Sequence, residues 1–563
     1  MAANADILPD LLKLNNLLIA EKDFTVVIEN IMDTAANICN ADCGFFYTLN
    51  DDNFLSLDYS FNKSQRPALR GSDNLTLFQT VYLPERKTKN PKSVVETCYF
   101  NNEVVNTANL YGSPDLDNSF FVAYDETNAY RTISVLTLPI VSRKENIVGI
   151  AQFVNPQDYN GKTVVFTSEM QKTVQSVLSL AGLVLENRRM NEAYGQLLES
   201  FIEVLARAID AKSPYTGAHC QRVPVIARLL ATAAAPAAVQ QEHGPLKNFE
   251  MSEDDWYALN IASWLHDCGK VTTPEYIVDK ATKLETIYNR IHEIRNRFEI
   301  LRRDAHIEYL KKRLNNVDKQ ENLQAEFVSK VKQLENDFAF IADCNIGDAP
   351  LTDDDIQRLE RLSKIKFIRY FNRMLGLSWA ERDNVRWPEL YERPSWENLL
   401  QNRDDHIFGQ YNRGELYNLE IRQGTINKEE REKINEHIVV TIDMLKALPF
   451  PKELSKVVEY AGAHHERVDG KGYPNGLTGD EMSVPAKIMA IADIFEALTA
   501  NDRPYKEPKK LSEVLRIMQE MKNTGHIDPD LYKVFITGKV YMDYAEQYIS
   551  PQQIDEINPD DYL

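Results

Sequence analysis

At 563 residues the chain is too long for a single ordinary core, so two to four domains are expected. A composition of 43% hydrophobic and 26% charged residues is that of a globular protein. The net charge of -20 argues against a general binder of nucleic-acid polymers, while leaving room for a local basic pocket that takes a small phosphorylated molecule. The N-terminal stretch shows no basic segment followed by an apolar run, and no run of about eighteen apolar residues occurs anywhere. The expectation is a cytoplasmic protein with no membrane span. The six cysteines, Cys39, Cys43, Cys98, Cys220, Cys268 and Cys344, are scattered without a CxxC pair, which fits buried thiols in a reducing compartment.

In chain order, "DLLKLNNLLIAE" and "FTVVIENIMDTAANIC" carry apolar residues at helical spacing. "CGFFYTL" and "FLSLDYSF" read as strands joined by a turn at Asn50–Asn53. "ISVLTLPIV", "SRKEN" and "IVGIAQFVNP" read as a hairpin of buried strands, and Ser168 is placed to cap a long helix beginning "SEMQKTVQ". Strands flanked by helices predict an α+β domain over residues 8–188. "RTISVLTLPIV", "GIAQFVN" and a closing helix ending "LENRRMNEAY" resemble a GAF sensor domain. That resemblance implies a small ligand of unknown identity. The NKFDE pattern of cyclic-nucleotide-binding GAF domains is absent, the place reading "QFVNPQD". Cys39 and Cys43 read as two small buried helix residues, with a thiol ligand or redox switch as the alternative.

A connecting helix is expected over 189–212, with Met190, Tyr194, Leu197, Ile202 and Leu205 on one apolar face. It either pairs with its twin in a parallel homodimer or packs on its own domain. Beyond Pro214 the pattern is almost all helical. From Leu284, apolar residues at Ile287, Ile291, Ile294 and Phe298 start a segment that reads as a helical hairpin or coiled-coil arm, expected to make dimer contacts or to gate a pocket.

The chemistry concentrates in a few places. "WLHDCGK" sets His266 beside Asp267, and an imidazole next to a carboxylate suits a metal, with the carboxylate able to bridge two ions. His219 lies one helix upstream. Asp493 lies on a later apolar helix, where a buried carboxylate is costly without a cation or a local partner. The order His219, His266, Asp267, Asp493 resembles the HD phosphohydrolase superfamily, and "HHERVDGKGYPNGL" at 464–477 matches the HHExxDGxGYP signature of its HD-GYP subfamily. "RPYK" and "TGHIDPDLYKVF" match further blocks in order.

The resemblance implies an all-α HD-type domain over 196–549 that hydrolyses cyclic di-GMP or a relative such as cyclic GMP-AMP. It implies one metal at His219, His266, Asp267 and Asp493, and a second at Asp267, His464, His465 and a further histidine. In the family that histidine follows a glycine by thirteen residues. Gly424 leads in this way to His437, whereas Thr282 stands where the nearer glycine belongs and leads to Arg295. His437 is therefore the expected ligand, with His292 the alternative, and residues 282–423 read as a mainly helical insertion. Some members hold a third metal with a glutamate at the place of Tyr215, so two metals are expected here. Imidazole and carboxylate donors suit iron or manganese and leave nickel and zinc open.

Lys270 is assigned to catalysis with Asp267 and to binding a phosphate oxygen, reached if the helix of His266 continues for another turn. Asp469, Gly472, Tyr473 and Pro474 would shape the substrate pocket, and Arg503 and Lys506 would hold the other phosphate unless they belong to a solvated loop. No Ser-His-Asp or Cys-His arrangement suggests a covalent nucleophile. Two other readings stand beside this one. One is a catalytically silent cyclic-dinucleotide receptor or a scaffold for a diguanylate cyclase. The other is an HD phosphohydrolase acting on deoxynucleoside triphosphates or guanosine tetraphosphate, against which the "DGKGYP" loop argues.

Overall fold

The computed structural model describes residues 24–49, 54–64, 80–82, 93–113, 116–144, 146–211, 219–240, 246, 249–315, 320–379, 382, 394–401, 412–500 and 508–563. The expected helix at 10–21, the turn at Asn50–Asn53, Tyr215, Arg503 and Lys506 lie outside the described residues. Two compact units are present, residues 1–198 and 199–563.

In the first unit, α1 (Phe24–Ile38) leads into β1 (Ala41–Leu49) and β2 (Phe54–Asn62). The sequence ADCGFFYTL gives β1 large side chains on both faces, so it must sit inside a sheet covered on both sides. It does, in a six-stranded antiparallel sheet of order β3-β2-β1-β6-β5-β4. The three-residue strands β3 (Thr80–Tyr82) and β4 (Val105–Thr107) form its edges, while β5 (Val135–Val141) and β6 (Ile147–Pro156) make the expected hairpin. Period-two alternation sends Phe46 to the face covered by α1 and by the first turns of α4 (Ser168–Asp210). Phe45 points to the other face, under α2 (Val94–Asn101) and α3 (Ser119–Asn128), where its ring meets Tyr124 edge-on at 5.1 Å. Gly182 lets α4 lie close on β5, since a Cβ there would sit 2.2 Å from the Val141 carbonyl oxygen.

Two local expectations are corrected. Cys43 lies on β1, not on a helix, because the chain turns at Asn40, which has φ +46°. Burial pushes the Cys39 and Cys43 thiols up to about 12, which keeps both protonated. The start of α4 is capped by the Thr167 hydroxyl, which accepts the Met170 N–H at 3.2 Å, and Ser168 is the first helical residue.

The second unit packs α5 (His219–Gln240), α6 (Glu253–Leu265), α12 (Lys428–Ala447), α13 (Val457–Gly462), α14 (Val484–Thr499), α15 (Leu511–Asn523), α16 (Pro529–Thr537) and α17 (Val540–Tyr548) around one core. Val223, Leu230, Ile261, Ile491 and Phe535 are at its centre. Ser252, Asn427 and Ser483 cap α6, α12 and α14, each through a side-chain oxygen that accepts a first-turn N–H. Ile202 on α4 is 6% exposed and belongs to this core, so it does not share the outer face of Met190, Tyr194 and Leu197.

A separate cluster holds the residues between α7 (Glu275–Val278) and α12. Here α8 (Ile291–Asn315) and α9 (Gln320–Ile346) run antiparallel, since Phe298 meets Phe338 and His306 meets Phe327. The hairpin helix starts at Ile291 rather than Leu284. Asn289 accepts the Ile291 N–H at 3.1 Å, and Ile287 is 90% exposed in the preceding turn. The lobe is completed by α10 (Asp353–Ser363), α11 (Glu415–Leu419) and a two-stranded ribbon of β7 (Lys366–Arg369) and β8 (Ser395–Asn398). That ribbon is a short strand pair in a lobe that is otherwise mainly helical, as expected. At the centre Arg297 makes a bidentate pair with Glu415, at 2.6 and 3.0 Å, and also donates to the Leu399 carbonyl.

Removing one partner of a buried pair strands the other charge, at about 3–5 kcal/mol. Glu415→Ala is therefore expected to loosen the lobe selectively. Hydrogen exchange on the full chain should show faster exchange in α8 and α11 with α14 unchanged.

Candidate metal centre

His219 is the first residue of α5, and His266 and Asp267 follow the end of α6. His437 sits midway along α12, His464 and His465 follow α13, and Asp493 lies within α14. The fold brings all seven into two groups that share one residue. His219, His266, Asp267 and Asp493 form one group, and Asp267, His437, His464 and His465 form the other. One carboxylate oxygen of Asp267 lies 3.3 Å from His219 Nε2 and 3.2 Å from His266 Nε2, while the other lies 3.2 Å from His437 Nε2. Asp493 Oδ1 is 3.2 Å from His219 Nε2. Asp267 thus belongs to both groups, with one oxygen toward each.

The imidazoles are turned with Nε2 inward. His266 Nδ1 donates to the Ser263 carbonyl at 2.8 Å and His464 Nδ1 to the Ala461 carbonyl at 2.6 Å. His437 Nδ1 donates to the Ile434 carbonyl. Each is a carbonyl three residues back, which a helix or its last turn supplies without further design. A ring that donates from Nδ1 presents a lone pair at Nε2. The Nε2 atoms of His219 and His266 then face each other at 3.1 Å, and those of His437 and His465 at 3.2 Å. His464 Nε2 is buried without a hydrogen-bond partner among the described residues. Ring nitrogens brought face to face beside buried carboxylates are what a divalent cation resolves, and the donor set fits two such ions.

Electrostatics separate the two groups. Burial and the neighbouring His465 and His266 hold His464 well below the usual histidine range, and burial takes His465 down to about 4. Both are therefore neutral donors. Burial also lowers His266, but the charge of Asp267 outweighs it and lifts the group to about 9. His219 rises likewise, its hydrogen bonds to Asp267, Asp493 and Glu496 outweighing burial. Without a cation, protons balance these carboxylates, and a metal would displace them.

Two contacts set the spacing. Helix α6 stops at Leu265, and a 3₁₀ turn, Cys268–Thr272, follows. Lys270 therefore does not lie one α-helical turn beyond His266. The tighter turn brings its ammonium onto Asp267; burial alone would lower it, but the charges of Asp267 and Asp493 outweigh burial and keep it protonated. Gly269 passes against α12 so closely that a Cβ would sit 1.9 Å from the His437 carbonyl oxygen, and its N–H donates to Thr441 Oγ1 at 2.9 Å. The missing side chain is what lets Asp267 approach His437.

The loop after the paired histidines is tied by its own carboxylates. Glu466, 1% exposed, accepts the Asn475 N–H at 2.7 Å and the Leu477 N–H at 3.0 Å. Gly472 crosses this base, where a Cβ would meet the Glu466 Cα at 2.4 Å. Asp469 pairs with Arg467 at 2.8 Å and accepts the Lys471 N–H, so its carboxylate holds the loop's shape. Tyr473 stacks on His465 at 4.9 Å, and the Tyr473–Pro474 peptide is cis. His292, the alternative ligand, lies on α8 beside Arg295 and is in neither group. Sequence reasoning overlooked Glu466, Thr441 and Glu496. Glu496 had a signal, since it stands three residues after Asp493 in the otherwise apolar run "IMAIADIFEALT".

A family model of the GAF domain matches residues 23–185, and one of the HD domain matches residues 409–531. Among curated relatives, the chain is 39% identical over 115 residues to a 3'3'-cGAMP-specific phosphodiesterase of Vibrio cholerae, covering 20% of this chain and 26% of that one. It is 41% identical over 80 residues to a cyclic di-GMP phosphodiesterase of Pseudomonas aeruginosa, covering 14% of this chain and 19% of that one. It is 34% identical over 116 residues to a cyclic di-GMP phosphodiesterase of Thermotoga maritima, covering 21% and 31%. The chain thus spans less than a third of the length of each of these relatives. What fold, site and comparisons establish together is a chain that joins a GAF domain to an all-helical HD domain, the latter similar to proteins named as cyclic-dinucleotide phosphodiesterases.

Proposed function

We propose that this protein is a metal-dependent phosphodiesterase that opens cyclic di-GMP, or a related cyclic dinucleotide such as cyclic GMP-AMP, to its linear form under control of the GAF domain. The observation that carries this reading is Asp267, with one oxygen in each ligand group and Lys270 against it. Two bound metals, iron or manganese on this donor set, would supply Lewis acidity toward a phosphoryl oxygen and an activated water.

The chain's own residues do the rest. His219, His266, Asp267 and Asp493 would hold one ion, and Asp267, His437, His464 and His465 the other. Lys270 carries a fixed positive charge at the bridge, suited to a non-bridging phosphate oxygen. The Tyr473 ring lies beside His465 and offers a face for a base to stack on. Gly472 lets the loop cross close over Glu466, Glu466 and Asp469 hold the loop's N–H groups, and Pro474 is assigned to the pocket by sequence alone. Arg503 and Lys506 are assigned by sequence alone to the second phosphate. The relatives named as phosphodiesterases of the same substrate class support this reading over a dNTP hydrolase. The catalytic domain is assigned to 196–549, interrupted by an insertion at 282–423 with its own core. A cyclic dinucleotide signal is met in the cytoplasm, and a diguanylate cyclase is a fitting partner.

We also assign a parallel dimer to α4. Met190, Tyr194, Leu197, Phe201 and Val204 are spaced four, three, four and three apart, and each is 46–62% exposed. A 3.5-residue repeat of bare apolar side chains is the seam of a two-stranded coiled coil.

Anaerobically purified protein should contain two metals and convert cyclic di-GMP or cyclic GMP-AMP to linear product. Asp267→Ala should cut turnover by about 10³-fold or more, since Lewis-acid stabilisation is worth several kcal/mol. Metal bound without turnover would favour the silent receptor instead. His437→Ala should lose one metal per chain on elemental analysis while His292→Ala keeps both, and the reverse would reassign the ligand. Phe201→Glu should move the sedimenting species from dimer to monomer, and an unchanged mass would remove the coiled-coil seam.

A further inference from the structure

Four of the five imidazoles in the centre have an Nδ1 hydrogen-bond partner among the described residues, and one of these partners is unlike the rest. His266, His437 and His464 each donate to a backbone carbonyl three residues earlier. His219 is different. Its Nδ1 meets instead the carboxylate of Glu496, on α14 one turn beyond Asp493. Glu496 is 2% exposed, and its second oxygen accepts from Arg222 Nε at 2.6 Å. Arg222 lies three residues after His219 on the same helix, so one carboxylate grips the first turn of α5 at two points.

The helix α14 therefore addresses His219 from both sides of the ring. Asp493 Oδ1 stands 3.2 Å from Nε2, while Glu496 holds Nδ1. A carboxylate behind a ligating imidazole fixes its tautomer and its aim. It also draws on the Nδ1 proton more strongly than a peptide carbonyl does, which makes Nε2 the better donor.

We propose that Glu496 is a positioning residue for the first metal group, acting through His219 to strengthen that group's hold on its ion, with Arg222 fixing Glu496 in place. The inference rests on the two-metal reading above and adds to it a difference between the two groups. The first has a carboxylate-backed histidine, whereas His437 and His464 in the second are backed by peptide carbonyls.

The test is metal affinity of the full-length protein, read by competition with a coloured chelator using manganese(II), and by the visible spectrum with cobalt(II). His437→Ala with His465→Ala strips the second group and reports the first. His219→Ala disables the first and reports the second. In the former background Glu496→Gln, which keeps the size and removes the charge, should lower affinity about 10- to 100-fold and shift the cobalt spectrum. In the latter it should change neither. Equal loss in both backgrounds would mean a general structural role and overturn the assignment, as would no loss in either. Should Glu496→Gln give no folded protein by circular dichroism, Glu496→Asp is carried through the same two backgrounds with the same selective loss expected. Wild-type protein that binds no metal would overturn the two-metal reading itself, an outcome distinct from wild type holding two ions with Glu496 indifferent.

Discussion

The buried carboxylate of Asp267 is the constraint around which the helical unit is arranged. A lone carboxylate with 1% exposure is costly, and each of its oxygens must meet positive charge or a proton. The protein surrounds it with His219 and His266 on one side, His437 on the other and the Lys270 ammonium above. Those groups arrive from α5, the end of α6, α12 and a 3₁₀ turn, so the need to neutralise one residue ties four segments together. The same crowding of donors and acceptors is what fits the place for divalent ions.

Spacing around that carboxylate depends on contacts that carry no charge. Gly269 lets the turn touch the backbone of α12, and Thr441 anchors it there. The far end of α12 is held by a buried pair, Lys280 to Glu430 at 2.7 and 2.8 Å, where Glu430 also serves the Asn427 cap. Lys280 precedes the lobe and Thr425, just after it, donates to the Lys280 carbonyl. The lobe's two roots are thus stitched together beside the helix that carries His437. The lobe has a hydrophobic cluster of its own, from Leu284 to Leu419.

Within the loop at 464–477 the charged residues divide between chemistry and shape. His464 and His465 face the centre, whereas Glu466 and Asp469 satisfy the loop's own N–H groups and Arg467. A buried acid that caps backbone donors fixes a loop more firmly than side-chain packing would, because unpaired N–H groups are costly. The Tyr473 ring is held against His465 by that frame.

The sequence by itself determined the α+β character of the first unit, the helical character of the second and the identity of all seven clustered residues, His437 among them. These were legible because strand alternation, helical spacing and short motifs are local, and because the interval from Gly424 to His437 lies within one helix and its lead-in. The tertiary structure alone decided what depends on distant segments meeting. It set the sharing of Asp267 between two groups, brought Lys270 onto that carboxylate through a 3₁₀ turn, and turned Ile202 inward while Phe201 stayed outside. Glu496 shows the division most sharply. Its place three residues after Asp493 was in plain view, but its role exists only because the fold carries α14 against His219, 277 residues away.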